Sequence, residues 1–201
     1  MLRPKRFKIA RRLGPAVFEQ TQTERFASAE ARKKDGAKDK RRKNISAYNV
    51  ALREKQRVRI YYGLPERQFK RYVKESEAKT GNAVTNLYTT LESRLDNVVY
   101  RIGLASTHRA ARQMVSHGHI TVNGKRINVP SHIVSKDNVI GIREGSATSK
   151  LFTEEKKDSS RKAAWVVEQD KGKGWKVSGT PASEEIPSAF NFSAVVEFYS
   201  R

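Results

Sequence analysis

The sequence predicts an α+β fold, on three observations. Between residues 47 and 116 apolar residues recur at spacings of three and four. From Ile120 to Ile142 they alternate in twos around an Asn-Gly pair. The chain then closes on an apolar, aromatic run, Ala194–Tyr199. The first spacing is that of a helix face and the second that of hairpin strands.

Composition bounds the rest. The 201 residues suit one or two domains, and a hydrophobic fraction of 37% allows only a modest core. There is no cysteine, which excludes disulfides, thiolate zinc sites and a cysteine nucleophile. No apolar run approaches the ~20 residues of a membrane span. Met1–Arg12 lacks the apolar middle of a secretory signal, and Glu19 and Glu24 argue against a transit peptide, so an intracellular protein is expected.

The charge is the strongest signal. Lys and Arg number 41 against 21 Asp and Glu, a net +20. Residues 1–80 hold +15 of it, residues 81–150 hold +5, and residues 151–201 are neutral. Such an excess repels itself in solution and is relieved on a polyanion by counterion release. Nucleic acid is the expected partner. A membrane surface would want a strongly amphipathic basic helix with Trp, Phe or Leu on its apolar face, and both Trp165 and Trp175 lie in the neutral third.

Taken in order, residues 1–44 are basic and poor in pattern, and Arg32–Lys43 is expected to be extended or disordered without its partner. Ser46 offers an N-cap for a helix from Ala47 to Tyr62, ended by Gly63. Its Arg53, Lys55, Arg57 and Arg59 do not share one side. Pro65 and Glu66 start a second helix, with Phe69, Tyr72 and Val73 as its buried stripe and Lys70, Arg71 and Lys74 facing elsewhere; Gly81 stops it. Leu87, Leu91, Leu95, Val98 and Ile102 predict a single third helix closed by Gly103. Glu92 and Asp96 fall on one flank of that stripe, and Arg94, Asn97 and Arg101 on the other, which predicts that one flank meets phosphate.

A short helix, Thr107–Ser116, follows with Ser106 as its cap. Ala110, Ala111, Met114 and Val115 would be buried, and Arg109, Arg112, Gln113 and Ser116 would face outward beside the free N–H groups of the first turn, an anion site. Ordinary solvated arginines are the competing reading. The period then changes: Ile120–Val122 and Ile127–Val129 flank Asn123-Gly124, with Lys125 and Arg126 at the tip. Val139–Arg143 is a further strand, and Val134 a candidate for another. Residues 145–162 read as a linker or weak helix, Trp165–Val167 as a strand, Lys171–Gly174 as a loop tip and Ala194–Tyr199 as a docked strand.

Catalytic signals are missing. There is no P-loop, no dinucleotide fingerprint and no paired carboxylate in a catalytic setting. His117-Gly118-His119 is the nearest approach to a metal pattern, and only His108 and His132 could add to it. No metal, cofactor or enzymatic activity is expected.

Ser46–Tyr72, Leu91–Gly103 (LESRLDNVVYRIG), Ala105–Gly124 (ASTHRAARQMVSHGHITVNG) and the ending VEFYSR resemble the bacterial small-subunit ribosomal protein S-four family. The middle portion resembles the S-four RNA-binding domain alone, which other RNA proteins also carry. The resemblance implies a helical domain made of N-terminal helices and the C-terminal tail, into which a small α/β RNA-binding module is inserted. The implied organisation is a basic extension over 1–44, a helical domain over 45–90 with about 180–201, the module over 91–150 and a peripheral linker over 151–179.

The function so implied is that of a primary rRNA-binding protein that nucleates assembly of the 5′ domain of small-subunit rRNA in the cytoplasmic ribosome. A place beside the mRNA entrance and a contact with ribosomal protein S-five, bearing on translational accuracy, come with it. Matched by motif, the RNA-facing residues would be Arg53, Lys55, Arg57 and Arg59, then Arg94, Arg109, Arg112, Gln113, His117, Asn123 and Lys125, with Lys40, Arg41, Arg42 and Lys43 toward the mRNA. The flank of the third helix adds Arg101. The chain departs from many relatives in lacking four zinc-binding cysteines, so rRNA itself is expected to order residues 1–44. It also has Ser135-Lys136-Asp137 where the family often has a Pro-Gly turn. The competing functions are an RNA-modifying enzyme carrying the same module, for which the last ~50 residues are too few to form a catalytic domain, and an architectural DNA-binding protein.

Overall fold

A computed structural model describes residues 5–35, 46–149, 152, 163–169, 174–182 and 185–200. In chain order its main elements are α1 (Arg6–Leu13), α2 (Glu24–Asp35), α3 (Ala47–Tyr61), α4 (Glu66–Ala78), α5 (Ala83–Glu92), α6 (Leu95–Ile102), α7 (His108–Ser116), β1 (Ile120–Val122), β2 (Lys125–Ile127), β3 (Val139–Ile142), α8 (Glu144–Ala147), β4 (Val166–Glu168), β5 (Gly174–Val177) and α9 (Phe192–Ser200). They form two units. One comprises the described residues up to Ala78 with those from Pro187 onward, and the other runs from Lys79 to Ile186.

In the first unit, Ser46 caps α3 by accepting a hydrogen bond from the Asn49 N–H. Gly63, at φ +61, reverses the chain, and α4 follows directly after Pro65. Val58, Phe69, Tyr72 and Val73 are buried together with Phe190, Phe192 and Val195. The C-terminal segment is a helix, which corrects the expected strand. Asn191 Oδ1 accepts from the Ala194 N–H, an N-cap just ahead of a run read for its β-branched and aromatic content. Phe192 and Val195 then fall on one buried helical stripe.

Residues 5–35 correct the expectation of an unpatterned segment. Ala10, Val17 and Phe26 are buried, and Thr21 Oγ1 donates to the Pro15 and Phe18 carbonyls. The chain's own sparse apolar residues therefore hold α1, α2 and the 3-10 turns between them. Most of Arg32–Lys43 lies outside the described residues.

The second unit also differs from expectation. The single third helix is two helices, α5 and α6, broken at Ser93-Arg94. The reason lies in the segment from Pro130 to Val134, far along the chain. The Leu95 N–H donates to the His132 carbonyl at 2.8 Å, the Asp96 N–H to Pro130 at 3.2 Å, and the Val134 N–H to the Ser93 carbonyl at 2.8 Å. These bonds satisfy the first amides of α6 in place of helix carbonyls. Val134 forms no strand; its neighbour Ile133 makes an isolated bridge with Arg94. Thr107, not Ser106, caps α7 through the Ala110 N–H.

The sheet is antiparallel throughout, in the order β2-β1-β3-β5-β4. Asn123 and Gly124 both have positive φ, +50 and +77, as the tight hairpin turn requires. Ile120 pairs with Ile127 and Ile142, Ile140 with Trp175, and Val166 with Val177. Trp165, Trp175 and Val177 share the core of α6, α7 and β1. Residues 163–178 are thus part of this sheet and not a peripheral linker, because two tryptophans need a core to cover them. Residues 79–90 belong here too: Tyr88 OH donates to the Glu185 carbonyl at 2.8 Å and Thr89 Oγ1 to that of Pro181 at 3.4 Å. The Ser135–Asn138 turn is closed by Asp137 at φ +67, its carboxylate 2.9 Å from Lys176 Nζ.

Candidate nucleic-acid interface

The geometry of the second unit begins with a buried polar network. Glu92 is fully buried at the end of α5 and Asp96, 5% exposed, opens α6. Asp96 accepts from Arg94 Nε at 3.0 Å and Nη2 at 2.7 Å, from Arg112 Nε at 3.0 Å and Nη2 at 2.8 Å, and from the Asn97 N–H at 3.0 Å. Glu92 accepts from Arg101 Nε and Nη2, both at 2.8 Å, and from Asn97 Nδ2 at 2.7 Å. His108 Nε2 lies 3.0 Å from Asn97 Oδ1, and its ring stacks on Tyr100.

This network corrects two expectations. Arg94, 1% exposed, is inside the unit rather than on a phosphate-facing flank. Arg101 is committed to Glu92. The break between α5 and α6 rotates the two flanks toward each other, so the acids and arginines separated on a continuous helix meet here. Arg112 is intermediate, half turned to Asp96. The consequence is electrostatic. Two carboxylates that would repel a polyanion are turned inward and neutralised by guanidinium groups.

The exposed edge of α7 and the hairpin is cationic. Arg109, Gln113 and Ser116 are exposed on α7, His117 just past its end, and Lys125 and Arg126 on the hairpin. Arg126 Nη2 donates to the His117 carbonyl at 3.3 Å, so the hairpin adjoins the end of α7. Asn123 serves the hairpin itself: its Oδ1 accepts from the Val139 N–H at 2.8 Å. Arg126 and Arg143 were not among the expected contacts. The signal for them was the alternation of β2 and the end of β3, which puts a basic residue beside each inward isoleucine.

In the first unit only Arg53 of the four expected α3 cations is well exposed. Lys55, 7% exposed, donates to Glu66 Oε1 at 2.7 Å and sits over the Phe198 ring at 4.8 Å, which removes it from the surface. Arg57 Nη1 donates to Glu54 Oε1 at 2.6 Å and its guanidinium packs near Phe190. Arg59 bonds Gln56 and pairs with Glu66. Tyr199 OH also donates to Glu66 Oε1, at 2.6 Å. Burial alone would push the Glu66 carboxyl up, but the bonds from Lys55 and Tyr199 and the charges of Lys55 and Arg59 together hold it below its usual range. Exposed cations absent from the expected set are Lys5 just ahead of α1, Lys8 and Arg12 on it, and Arg67, Lys70 and Lys74 on α4. Lys40, Arg41, Arg42 and Lys43 lie outside the described residues. Among the described residues no cluster of side chains could hold a metal, and no helix is long and apolar enough to cross a membrane.

Comparison with known proteins meets this geometry. Residues 1–92 match the ribosomal protein S4/S9 N-terminal domain and residues 93–140 the S4 domain. Small ribosomal subunit protein uS4 of Acetivibrio thermocellus is 39% identical over 199 residues, 96% of each chain. The chain belongs to the uS4 family. Proteins of the same description from Halalkalibacterium halodurans and Listeria monocytogenes are each 44% identical over 80% of both chains.

The two uS4 matches meet between Glu92 and Ser93, where α5 ends and the chain breaks before α6. The compact second unit does not follow that border, since it starts at Lys79. Strands β4 and β5 lie beyond residue 140, outside both matches, yet complete the same sheet.

Proposed function

We propose that the chain is a structural, non-enzymatic component of the small ribosomal subunit that binds rRNA. One observation carries the reading. The second unit turns its acids Glu92 and Asp96 inward onto arginines while Arg109, Gln113, His117 and Lys125 stay in solvent. A surface so arranged attracts phosphate without an internal carboxylate competing for it. Recognition then rests on backbone and shape, because the deep groove of A-form RNA hides base edges. An enzyme carrying the same module is not favoured, since the relatives are ribosomal proteins and β4 and β5 are used up in the module's own sheet.

The finer reading is that the RNA is the 5′ domain of small-subunit rRNA, where helices converge and repel one another. Binding there would nucleate assembly of that domain in the cytoplasmic ribosome. Arg53 of the first unit would add a phosphate contact, and Lys40–Lys43 would lie toward the mRNA entrance. A contact with ribosomal protein S-five would link the chain to translational accuracy.

The test uses the full chain with a 5′-domain rRNA transcript and a DNA duplex of equal length at moderate salt. The transcript is expected to bind more tightly. Arg109→Gln with Lys125→Gln should weaken it and lower the slope of log K against log salt by about 0.7–0.9 per lost contact, without altering the melting temperature. Equal affinity for both polymers, or an unchanged slope, would overturn the reading.

A further inference from the structure

One basic corner of the second unit enters the contacts above only through His117. Four basic side chains converge on the loop that joins α7 to β1. His117 ends α7, and its ring centroid is 5.9 Å from that of His119. Arg126 reaches across from β2 to the His117 carbonyl and lies directly on Gly118, at φ +71; a Cβ there would fall 2.1 Å from Arg126 Nε. Glycine at this position is what lets the guanidinium settle on the loop. Arg143 follows β3, its N–H donates to the His119 carbonyl at 2.9 Å, and its guanidinium passes over Gly145. His119 Nδ1 is 2.9 Å from Oγ of the buried Ser146 in α8, and its ring meets Phe152 edge-on.

The charges around the His119 ring are of one sign. Burial first, then His117, Arg143 and Arg126, all hold its imidazole below the usual histidine range. The other charged residues of the adjoining elements are Lys125 of β2 and Arg109 and Arg112 of α7, which are cationic, and Glu144 at the start of α8, an exposed acid. No described carboxylate pairs with Arg126 or Arg143. A concentration of like charge on one turn, with the His119 ring and the Arg126 guanidinium held by hydrogen bonds, suits an anion.

We propose that this corner is a second phosphodiester-binding site of the module, with Arg126 and Arg143 as its cations and His119 as a third donor that takes up a proton when the RNA backbone is seated. The inference rests on the rRNA-binding reading and extends it beyond the α7 edge and hairpin tip. Its consequence follows from linkage. An anion seated here offsets the repulsion on the ring, so bound RNA favours the protonated imidazole. Affinity therefore rises as pH falls from about 8 toward 6.

The experiment uses the full chain and the 5′-domain rRNA transcript. Arg126→Gln with Arg143→Gln is expected to lower the salt slope by about 1.4–1.8, two contacts at 0.7–0.9 each, with the protein melting as before. The imidazole NMR titration of His119 should move to higher pH when the transcript is added, and His119→Asn should flatten the dependence of affinity on pH. If the double variant binds with an unchanged slope while Arg109→Gln with Lys125→Gln lowers it, the second site is refuted and the rRNA reading stands. An unmoved His119 titration in the complex refutes the proton uptake. If the transcript does not bind at all, both fall.

Discussion

Asp96→Asn isolates the network that holds α5, α6 and α7 together. The substitution removes one charge and almost no volume. Asp96 accepts five hydrogen bonds, four of them from the guanidinium groups of Arg94 and Arg112. An amide offers one oxygen in place of two and turns donors toward Arg94, which is buried and cannot reach water. Breaking a buried ion pair from one side costs about 3–5 kcal/mol, and this is the scale expected. A domain of this size has about 5–15 kcal/mol of stability in all, and each kcal/mol moves its melting temperature by on the order of 4–8 °C. The second unit should thus melt at least about 12 °C lower. The assay is intrinsic fluorescence, because both tryptophans, Trp165 and Trp175, are buried in this unit and report on it alone. Arg112→Gln removes a partner that is 27% exposed and leaves Arg94 on the same carboxylate, so it should cost less than Asp96→Asn. Equal and small effects of the two substitutions would show that Asp96 is solvated, and the inward-turned acid would have to be abandoned.

Two further outcomes probe the parts where structure and sequence diverged. Tyr199→Phe removes a hydrogen bond to the Glu66 carboxylate and should destabilise the first unit by about 1.5–3 kcal/mol, read by helical circular dichroism. Glu66 titrates below its ordinary value of 4.5 in the folded chain, so its contribution is full above that pH and fades as pH falls through the lower folded value. The acid loss should be smaller in Tyr199→Phe, and an identical acid profile in both proteins would contradict the Glu66 assignment. Trp175→Ala should cost about 3–5 kcal/mol in the second unit, since the ring is buried against β3 and the core; a near-neutral urea midpoint would return residues 163–178 to the status of a linker.

Several features could be read directly from the residues. The Ser46 cap, the Pro65 start, the Asn123-Gly124 hairpin and the stripe from Leu87 to Ile102 depend on neighbours within a few positions, and local sterics and hydrogen bonding decide them. The cationic character of the chain was equally plain, because charge sums without regard to fold. The misread parts share a cause. The α5–α6 break is made by the carbonyls of Pro130 and His132. Arg94 is buried by Asp96 and by a segment 39 residues on, and Lys55 by a tail more than 140 residues on. The C-terminal helix is the partial exception, since its cap, Asn191, is local, yet the segment was read as a strand from its apolar and aromatic run.

What the sequence by itself determined was a basic α+β chain with a helix-and-hairpin module aimed at nucleic acid, because period, turn chemistry and net charge are local or additive. Which cations face water was decided only by the tertiary structure. An arginine's role depends on whether a carboxylate reaches it first, and those carboxylates are brought in by chain segments whose distance along the sequence carries no signal.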